Sequence, residues 1–573
     1  MKRHTRARRT ETMKKSSAGQ GLYGLWSRWL SDMPRKSKML FVFSAIAGVA
    51  TGAGQGYLLA FITSALAKGH ENADGAALSF FALCLFIFVS GVLSVTLSSW
   101  ITQDNHYNLR LRTSRKALST PLEHLYVCGP QRIMTVLTDD VDAVVQAQDA
   151  IPVLLVEGAK LAGAFVYLGC VSFELLELVA VFLVCGVASW MTLQSRAKRW
   201  LRSARDANDT LFRHYRAITD GFKELKLDAR RRRAFLEQEL HETADTIRTR
   251  RNMASRIYAL AGRWSQLLYF LLIGLILFVP LLRDRAGQEG MTGFTLTILF
   301  IGAPLSAIVN IAPIIGRGIV ALKNIEELRL WSTDEVEVGA GTEPISHAKT
   351  PSVLELVDVS FRYPDVAGTR GQPFGPLSLR VEPGELMFLT GGNGSGKTTL
   401  ALLILGLLSP VSGEIRLGGE PITAQHRDAY RQNFSAVFAD AYVFDTLLGY
   451  SHSEAQARAE ELLVLLRLDD KLRIENGRCS TIDLSRGQRK RLAFLSAYLA
   501  DRPFYLFDEW AAEQDPDFRE FFYRQMLPEL KARGKTVIAI THDDRYFHMC
   551  DRLVRMAFGQ IEQQSPSAVA SPV

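Results

Sequence analysis

Six long apolar runs occupy the first part of the chain, separated by polar and basic segments. The runs lie at 39–65, 76–100, 150–170, 173–191, 258–282 and 291–320. Each is near or above the roughly 20 residues that an α-helix needs to cross the hydrocarbon core of a bilayer. Within hydrocarbon a helix satisfies its own backbone N–H and C=O groups, and these runs are too long and too uniformly apolar for barrel strands. The pattern predicts an all-α transmembrane domain of six helices over residues 39–331.

The two long polar segments inside this region, 101–148 and 192–257, keep apolar residues at helical spacing. Leu211, Tyr215 and Ile218 are one example. A period near 3.6 residues is typical of an amphipathic helix. We expect these segments to extend the membrane helices beyond the bilayer, with turns near 121–132 and 220–228, while solvated connectors remain the alternative.

Basic residues indicate the orientation of the spans. The formal net charge is +8, and most of the excess lies beside the apolar runs. The segment between the fourth and fifth runs is densely basic, with Arg196, Lys198, Arg199, Arg202, Arg205 and Arg230 to Arg233. The loops on the opposite side carry only Lys68, Arg283 and Arg285. Because cytoplasmic loops are enriched in Lys and Arg, both termini are predicted to be cytoplasmic. Nucleic acid is not expected as a partner.

The N-terminus and the cysteines exclude other classes of protein. Residues 1–38 are predicted to form a basic cytoplasmic segment, because the run that follows is longer than the core of about 7–15 residues in a secretory signal. The six cysteines stand singly, without a CxxC pair. Neither a disulfide framework nor a zinc site is therefore predicted.

The second part of the chain has the pattern of a soluble α/β domain. Residues 332–350 mix acidic residues, Gly and Pro without periodicity and predict a linker. The domain is predicted over 351–563, with strands at 353–363 and 377–390 and an apolar helix at 400–408. Residues 564–573 are rich in Ser, Pro and Ala, a composition that predicts a disordered tail.

The strongest motif, GGNGSGKT, lies between the second strand and this helix and fits the pattern GxxxxGK[ST]. Glycines let backbone N–H groups converge on phosphate oxygens, and the helix N-terminus adds positive potential. Lys397 is predicted to reach the β- and γ-phosphates of a nucleotide, and Thr398 to ligate Mg²⁺. The predicted cofactor-binding residues of this loop are Gly391, Gly392, Asn393, Gly394, Ser395, Gly396, Lys397, Thr398 and Thr399.

Two acidic residues end a later apolar strand that begins at Phe504. Asp508 suits the Mg²⁺ shell. Glu509 is placed to polarise the attacking water as a general base, because phosphoryl transfer needs a positioned in-line nucleophile. Alone, such acids are usually solvated residues at a strand end, but after a phosphate loop they indicate hydrolysis of ATP.

With a further segment the sequence resembles the ATP-binding cassette family over nearly its whole length. Residues 484–488 (LSRGQ) are similar to the family signature LSxGQ. The resemblance implies an α/β P-loop nucleotide-binding domain after the six helices. It also implies that Ser485, Gly487 and Gln488 bind the γ-phosphate of ATP held by a partner subunit. One signature per chain implies a homodimer in a lipid bilayer.

Other positions of the family pattern can be placed one by one. Tyr363 matches the aromatic residue that stacks on adenine. His542 matches the switch histidine that contacts the γ-phosphate and joins Glu509 and Lys397 as a catalytic residue. Asp515 matches the aspartate that contacts the other subunit of the dimer. The pattern departs at the usual glutamine after the next strand, where Ala439 stands and Asp440 is a candidate replacement.

Three unusual segments narrow the resemblance to cyclic-peptide exporters of the pyoverdine and syringomycin type. They read DLSRGQRKRL at 483–492, DEWAAEQDP at 508–516 and THDDRYF at 541–547. Most exporters read DEPTSALD at the second of these. The resemblance implies ATP-driven export of a cyclic or modified peptide, a siderophore precursor or a similar secondary metabolite across a bacterial inner membrane by alternating access.

Several alternatives remain open from the sequence. A lipid or lipopeptide flippase has the same machinery, and a nontransporting membrane sensor uses ATP only as a switch. Glu157 and Lys160 lie one turn apart in the third span, where charges are costly unless they are paired or face a cavity. They are candidates for substrate contact or a simple i,i+3 ion pair.

Overall fold

The computed structural model describes residues 35–68, 73–331, 352–364, 372–450 and 453–566. The predicted linker, and all but the last four residues of the predicted N-terminal segment, lie outside these ranges. The chain divides into two compact units. One unit comprises Met1–Leu109 and Asp140–Leu322, and the other comprises Arg110–Asp139 and Lys323–Val573, each in its described parts.

The membrane unit is built from long helices, six of which are long and apolar enough to cross a bilayer. This confirms the prediction of an all-α six-helix domain. The helices of this part of the chain, with the short helices between them, are α1 Arg35–Lys68, α2 Ala73–Leu118, α3 Leu122–Cys128, α4 Pro130–Thr135, α5 Val141–Val171, α6 Phe173–Asp220, α7 Phe222–Leu227, α8 Ala229–Ala234, α9 His241–Phe278 and α10 Pro280–Trp331, with π-helical segments at Val136–Asp140 and Phe235–Leu240.

The polar segments are helical extensions of the spans, and not solvated connectors. Helix α2 runs for 46 residues and α6 for 48 residues. The chain turns through the short helices α3 and α7, close to the predicted positions. Gly129 ends α3 with φ 75°. Asp228 follows α7, and its side chain accepts hydrogen bonds from the main-chain N–H groups of Arg230 and Arg231.

Small residues let α1 and α5 approach closely. A Cβ atom on Gly52 would lie 2.4 Å from the carbonyl oxygen of Val156, and one on Gly56 would lie 3.1 Å from the Cα atom of Gly163. Close backbone approach at small residues is a main source of helix association in lipid, where apolar burial supplies little driving force. The glycine positions therefore determine the packing of α1 on α5.

The soluble domain contains two main sheets. The strands are β1 Leu354–Arg362, β2 Pro373–Val381, β3 Leu386–Gly391, β4 Ser412–Leu417, β5 Glu420–Pro421, β6 Phe434–Val437, β7 Ile474–Glu475, β8 Arg478–Cys479, β9 Phe504–Asp508, β10 Thr536–Ile540, β11 Arg552–Ala557 and β12 Gln560–Pro566. The six-stranded sheet has the order β12-β11-β3-β10-β9-β6, and the four-stranded sheet has the order β2-β1-β4-β5. The helices are α11 Lys397–Ile404, α12 Arg427–Arg431, α13 Ser453–Leu465, α14 Arg486–Leu499, α15 Pro516–Phe521 and α16 Leu527–Ala532.

The structure corrects three predicted boundaries in this domain. The strand predicted at 377–390 is two strands, β2 and β3, because Pro383 and Gly384 form a turn and the strands join different sheets. Helix α11 begins at Lys397 and ends at Ile404, so it lies earlier than the predicted 400–408. Strand β12 continues to Pro566 and pairs with β11, so the first three residues of the predicted tail belong to the sheet.

The central strands of the larger sheet bring the motifs together. Strands β3, β9 and β10 are parallel neighbours. Every residue of β9 and β10 is buried, as expected for a parallel sheet covered on both faces. The carboxyl ends of parallel strands meet at one edge, where ligands bind in α/β sheets. The phosphate loop and the segment at His542 continue from two of these ends, and Asp508 is the last residue of β9.

Residues 110–139 group with the soluble domain, whereas the predicted transmembrane domain ran continuously from 39 to 331. Leu122 of α3 packs against the core of the soluble domain. The Glu123 carboxylate accepts a 2.6 Å hydrogen bond from the main-chain N–H of Ser409. The loop between the second and third spans is therefore part of the nucleotide-binding unit.

Candidate functional site

The phosphate loop joins β3 to α11 through glycines in left-handed backbone conformations. The φ angles of Gly391, Gly394 and Gly396 are 147°, 76° and 100°. A Cβ atom on Gly391 would lie 2.3 Å from the carbonyl oxygen of Met556. Only glycine tolerates this combination of φ angle and close approach. The local sequence thus produces a tight loop whose N–H groups precede a helix N-terminus.

Two buried polar side chains of this loop are suited to an anion. Lys397 is buried, and its Nζ atom donates to the carbonyl oxygens of Gly391 and Gly392 at 2.8 and 3.0 Å. Ser395 Oγ is buried and has no hydrogen-bond partner among the described residues. A buried hydroxyl without a partner is costly, and a phosphate oxygen would satisfy it. The loop therefore fits the phosphates of a nucleotide.

Asp508 ends β9 beside the phosphate loop. Burial raises the pKa of this carboxyl, the neighbouring Glu509 raises it further, and the positive charges of Lys397 and Lys490 oppose both. A buried carboxylate suits Mg²⁺, which is commonly held by one or two carboxylates together with phosphate oxygens and water. Thr398, the other predicted ligand, is the second residue of helix α11. The described residues contain no cluster of three or more His, Cys, Asp or Glu side chains able to hold a metal.

Glu509 and His542 form a pair at the same edge of the sheet. His542 Nε2 lies 3.3 Å from Glu509 Oε1. Both side chains are partly exposed, so a water molecule can reach the carboxylate. Glu509 itself has a left-handed backbone, with φ 47° and ψ 38°, a conformation that non-glycine residues hold only where their surroundings impose it.

Tyr363 lies beside the phosphate-loop helix. Its hydroxyl is 3.3 Å from Thr399 Oγ1. Its ring meets Phe361 edge-on at a centroid distance of 5.0 Å and Tyr126 of α3 at 6.2 Å. Burial raises the pKa of Tyr126, and the nearby Tyr363 and Asp440 raise it further. The predicted adenine-stacking residue is thus held between the soluble domain and the loop that follows the second span.

Ser485, Gly487 and Gln488 begin helix α14 as a capping box. Ser485 Oγ accepts from the main-chain N–H of Gln488 at 3.3 Å, and Gln488 Oε1 accepts from the main-chain N–H of Ser485 at 3.0 Å. The reciprocal bonds satisfy two N–H groups at the helix start. The residues are exposed or half-buried, so an anion can approach this N-terminus.

The structure brings part of the predicted set together. Lys397, Asp508, Glu509 and His542 lie at one edge of the sheet. Within the described residues, no hydrogen bond or ion pair joins Ser485, Gly487 or Gln488 to the phosphate loop of the same chain. Gly487 contacts the segment after Glu509 instead, where the Gln514 side chain donates to the Gly487 carbonyl oxygen at 3.1 Å.

Sequence reasoning missed two functional candidates, Lys490 and Gln514. Both are buried and both bond main-chain carbonyl groups near the site. For Lys490 a signal was present, because it lies at i, i+4 and i+8 spacing with Phe494 and Tyr498 on the buried face of α14. A charge at a core-facing position indicates a specific partner. The sequence offers no comparable signal for Gln514.

Comparisons with known proteins show the family of the chain. Residues 374–512 match the family model described as "ABC transporter", and residues 38–306 match "ABC transporter transmembrane region". "ATP-binding protein SyrD" of Pseudomonas syringae pv. syringae is 35% identical over 471 residues, which covers 80% of this chain and 83% of that protein.

Two further similarities extend along almost the whole chain. The "ATP-dependent lipid A-core flippase" of Dechloromonas aromatica (strain RCB) is 25% identical and covers 89% of each chain. The solved "Structure of a bacterial Atm1-family ABC exporter with ATP bound" is 17% identical, covers 93% of this chain and 95% of that chain, and superimposes with a TM-score of 0.70. The protein belongs to the ABC transporter family, as a multi-pass membrane exporter that couples hydrolysis of ATP to transport.

Proposed function

We propose that two copies of this chain form a homodimeric exporter that moves a cyclic or modified peptide, a siderophore precursor or a similar secondary metabolite out of a bacterial cytoplasm. The proposed substrate class is supported by the unusual segments at 483–492, 508–516 and 541–547, in a chain 35% identical to SyrD. The lipid A-core flippases are less similar, at 24–28% identity.

The homodimer is supported by two features of the single chain. Ser485 and Gln488 bond each other, and Gly487 accepts from Gln514. None of the three bonds the phosphate loop of the same chain within the described residues, so they can meet a nucleotide on a second copy. Helix α7 also presents exposed apolar side chains, with Phe222 52% and Leu227 91% exposed. A second copy would cover them. In this assembly each ATP lies between Lys397 of one copy and Ser485 of the other.

The chemistry of hydrolysis is assigned to residues at the edge of the large sheet. Lys397 exchanges its two main-chain carbonyl acceptors for the β- and γ-phosphates. Thr398 and Asp508 would hold Mg²⁺, which would neutralise charge on the phosphate oxygens. Glu509 orients the attacking water and accepts its proton. His542, 3.3 Å from Glu509, holds the carboxylate and contacts the γ-phosphate.

Asp440 is proposed to replace the glutamine of the family pattern. It is exposed after β6, and its charge raises the pKa of both Asp508 and Tyr126 of α3. It therefore lies near both the Mg²⁺ ligand and the loop after the second span. We expect Asp440→Ala to reduce ATP turnover and its coupling to transport. Unchanged turnover and coupling would remove this role.

Glu157 and Lys160 form an ion pair at 2.8 Å, with side chains 16% and 17% exposed. Each charge is satisfied by the other, so pairing alone accounts for their presence in the third span. A substrate role is tested by Glu157→Ala and Lys160→Ala. Substrate-stimulated ATP hydrolysis that stays unchanged in both variants would exclude it.

The deciding experiment measures ATP hydrolysis by the purified protein in lipid nanodiscs and transport by the same protein in sealed vesicles with the ATPase domain outside. Candidate cyclic peptides and siderophore precursors are expected to stimulate hydrolysis in the nanodiscs and to be transported into the vesicles. Glu509→Gln is the matched control and should abolish both activities. Membrane fractionation of the producing bacterium tests the proposed location in the inner membrane.

A lipid or lipopeptide flippase is the second candidate, because lipid A-core flippases are among the relatives. Stimulation of hydrolysis by lipid A or a lipopeptide, with no response to peptide, would favour it. A nontransporting sensor is the third alternative. It would be favoured if Glu509→Gln still performed the cellular function.

A further inference from the structure

Helix α14 contains a buried lysine. The Lys490 side chain is 5% exposed. An ammonium group is rarely buried unless specific acceptors compensate for its lost hydration. Lys490 Nζ donates to the main-chain carbonyl oxygen of Glu509 at 2.9 Å and lies 3.6 Å from the Glu513 carboxylate. The lysine thus binds the backbone of the residue assigned as general base.

The Glu509 backbone needs such support. Its φ of 47° and ψ of 38° lie in the left-handed region, which a residue with a Cβ atom occupies only under external constraint. The Glu509 N–H donates to the Ile540 carbonyl oxygen at 3.1 Å, and the Glu509 carbonyl accepts from Lys490. Bonds on both sides of the Cα atom therefore determine the direction in which the carboxylate leaves the chain.

The catalytic segment is bonded back to the same helix. Trp510, which is fully buried, donates from Nε1 to the Lys490 carbonyl oxygen at 2.8 Å. Gln514 donates to the Gly487 carbonyl oxygen at 3.1 Å. Helix α14 and the segment 509–514 each donate hydrogen bonds to carbonyl oxygens of the other, so they form one rigid assembly.

We propose that Lys490 is a positioning residue. From the signature helix, its ammonium group holds the Glu509 main chain in the left-handed conformation that directs the carboxylate to the attacking water. This rests on the proposed function, in which Glu509 is the general base. Lys490 acts through the Glu509 main chain, whose carbonyl oxygen accepts its hydrogen bond. Because Ser485 begins the same helix, α14 both carries the group that meets the partner's ATP and holds the main chain of the base in this chain.

The protein contains a matched control, Lys535. Its side chain is 11% exposed, and Nζ donates to the main-chain carbonyl oxygen of Asp501 at 3.1 Å. Asp501 also has a left-handed backbone, with φ 44°. Asp501 precedes β9, whereas Glu509 follows it. Lys535→Met therefore removes the same kind of bond at the opposite end of the strand.

The test is steady-state ATP hydrolysis by full-length protein in lipid nanodiscs, together with the apparent Tm. Lys490→Met is expected to lower kcat about tenfold to a hundredfold, since a hydrogen bond from a charged donor is lost. KM for ATP should change less than about twofold, because nucleotide binding does not use this bond. Lys490→Arg keeps a charged donor and should restore most of kcat. Lys535→Met should hydrolyse ATP at the wild-type kcat.

A Lys490→Met protein with wild-type kcat overturns the proposal. An equal loss of kcat in Lys535→Met also overturns it, because general loosening of β9 then explains both. If Lys490→Met does not fold, Lys490→Gln, which is shorter and neutral, replaces it under the same criteria. Glu509→Gln distinguishes failure of the positioning role of Lys490 from failure of the proposed general base. If it is inactive while Lys490→Met is fully active, only the positioning role fails; if Glu509→Gln itself hydrolyses at the wild-type rate, the proposed base is wrong.

Discussion

At the scale of single residues, burial decides how the nucleotide site is charged. Asp508 is 4% exposed, and its pKa is raised mainly by burial. An ionised carboxylate in this position lowers the stability of the folded domain until a cation is bound beside it. The ionised residue therefore lowers the stability of the nucleotide-free domain, which fits the proposed chemical role better than a structural one.

Asp508→Asn should raise the apparent Tm of the nucleotide-free protein at neutral pH and abolish ATP hydrolysis. A raised pKa means that the folded state disfavours the charged form, so the penalty is present at high pH and disappears as pH falls below the ordinary range of an aspartate. The gain in Tm over wild type should thus grow as pH rises from about 4 to 7. Scanning fluorimetry across this range measures it. A variant less stable than wild type at pH 7 would contradict the argument.

Gly391→Ala should destabilise the soluble domain by roughly 2–4 kcal/mol, because the new methyl group meets a carbonyl oxygen and the φ angle suits only glycine. Gly392→Ala is the matched control. An added Cβ there meets no atom within 4 Å. Thermal unfolding of the two variants without nucleotide makes the comparison, and equal Tm values would refute the steric account.

At the scale of elements, the start of helix α14 combines a structural and a functional role. The capping box of Ser485 and Gln488 stabilises the helix, while the remaining N–H groups and the helix dipole suit a phosphate. The two roles make different demands on the side chain at position 485. A serine hydroxyl and an aspartate carboxylate both cap a helix. Only the neutral hydroxyl tolerates an approaching phosphate, because the carboxylate repels it.

Ser485→Asp and Ser485→Ala should separate these roles. Aspartate caps a helix as well as serine does, whereas alanine costs about 1 kcal/mol. Ser485→Asp should therefore keep the wild-type Tm but lose ATP-driven association of the nucleotide-binding domains, because its charge repels the γ-phosphate. Ser485→Ala should lose some stability and retain part of the association. Unfolding and ATP-dependent cross-linking report the two effects, and normal association of Ser485→Asp would count against the assigned contact.

At the scale of the whole molecule, the proposed function requires residues from two copies of the chain to complete each ATP site. The proposed assembly places Lys397 of one copy opposite Ser485 of the other. Exposed apolar residues on α7 give the second copy a further surface to cover. The symmetry of a two-fold dimer then makes two equivalent sites.

This arrangement predicts complementation between two inactive variants. In a Lys397→Ala homodimer, and likewise in a Ser485→Asp homodimer, both ATP sites are defective. Neither homodimer should hydrolyse ATP. A mixed dimer concentrates both defects in one site and leaves the other intact, so it should regain hydrolysis. Co-expression with two different affinity tags isolates the mixed dimer. If each chain formed its own complete site, the mixed dimer would stay as inactive as its parents.

Much of this architecture was predictable from the sequence. The six apolar runs became six helices able to span a membrane, and the phosphate loop became a strand, a glycine turn and a helix. Both features depend on residues close together in the chain. Periodicity and turn chemistry act over one element at a time, so the sequence determined the order of the elements and the chemistry available to them.

Tertiary structure alone decided which distant groups meet. It separated β2 from β3 into different sheets, joined the loop around Glu123 to the soluble domain and set Lys490 against the Glu509 carbonyl. Each result depends on contacts between segments far apart in the chain, whose energies are shared among many side chains. Local sequence carries the propensities of each segment, but the packing that compensates a buried charge or a strained backbone exists only in the folded molecule.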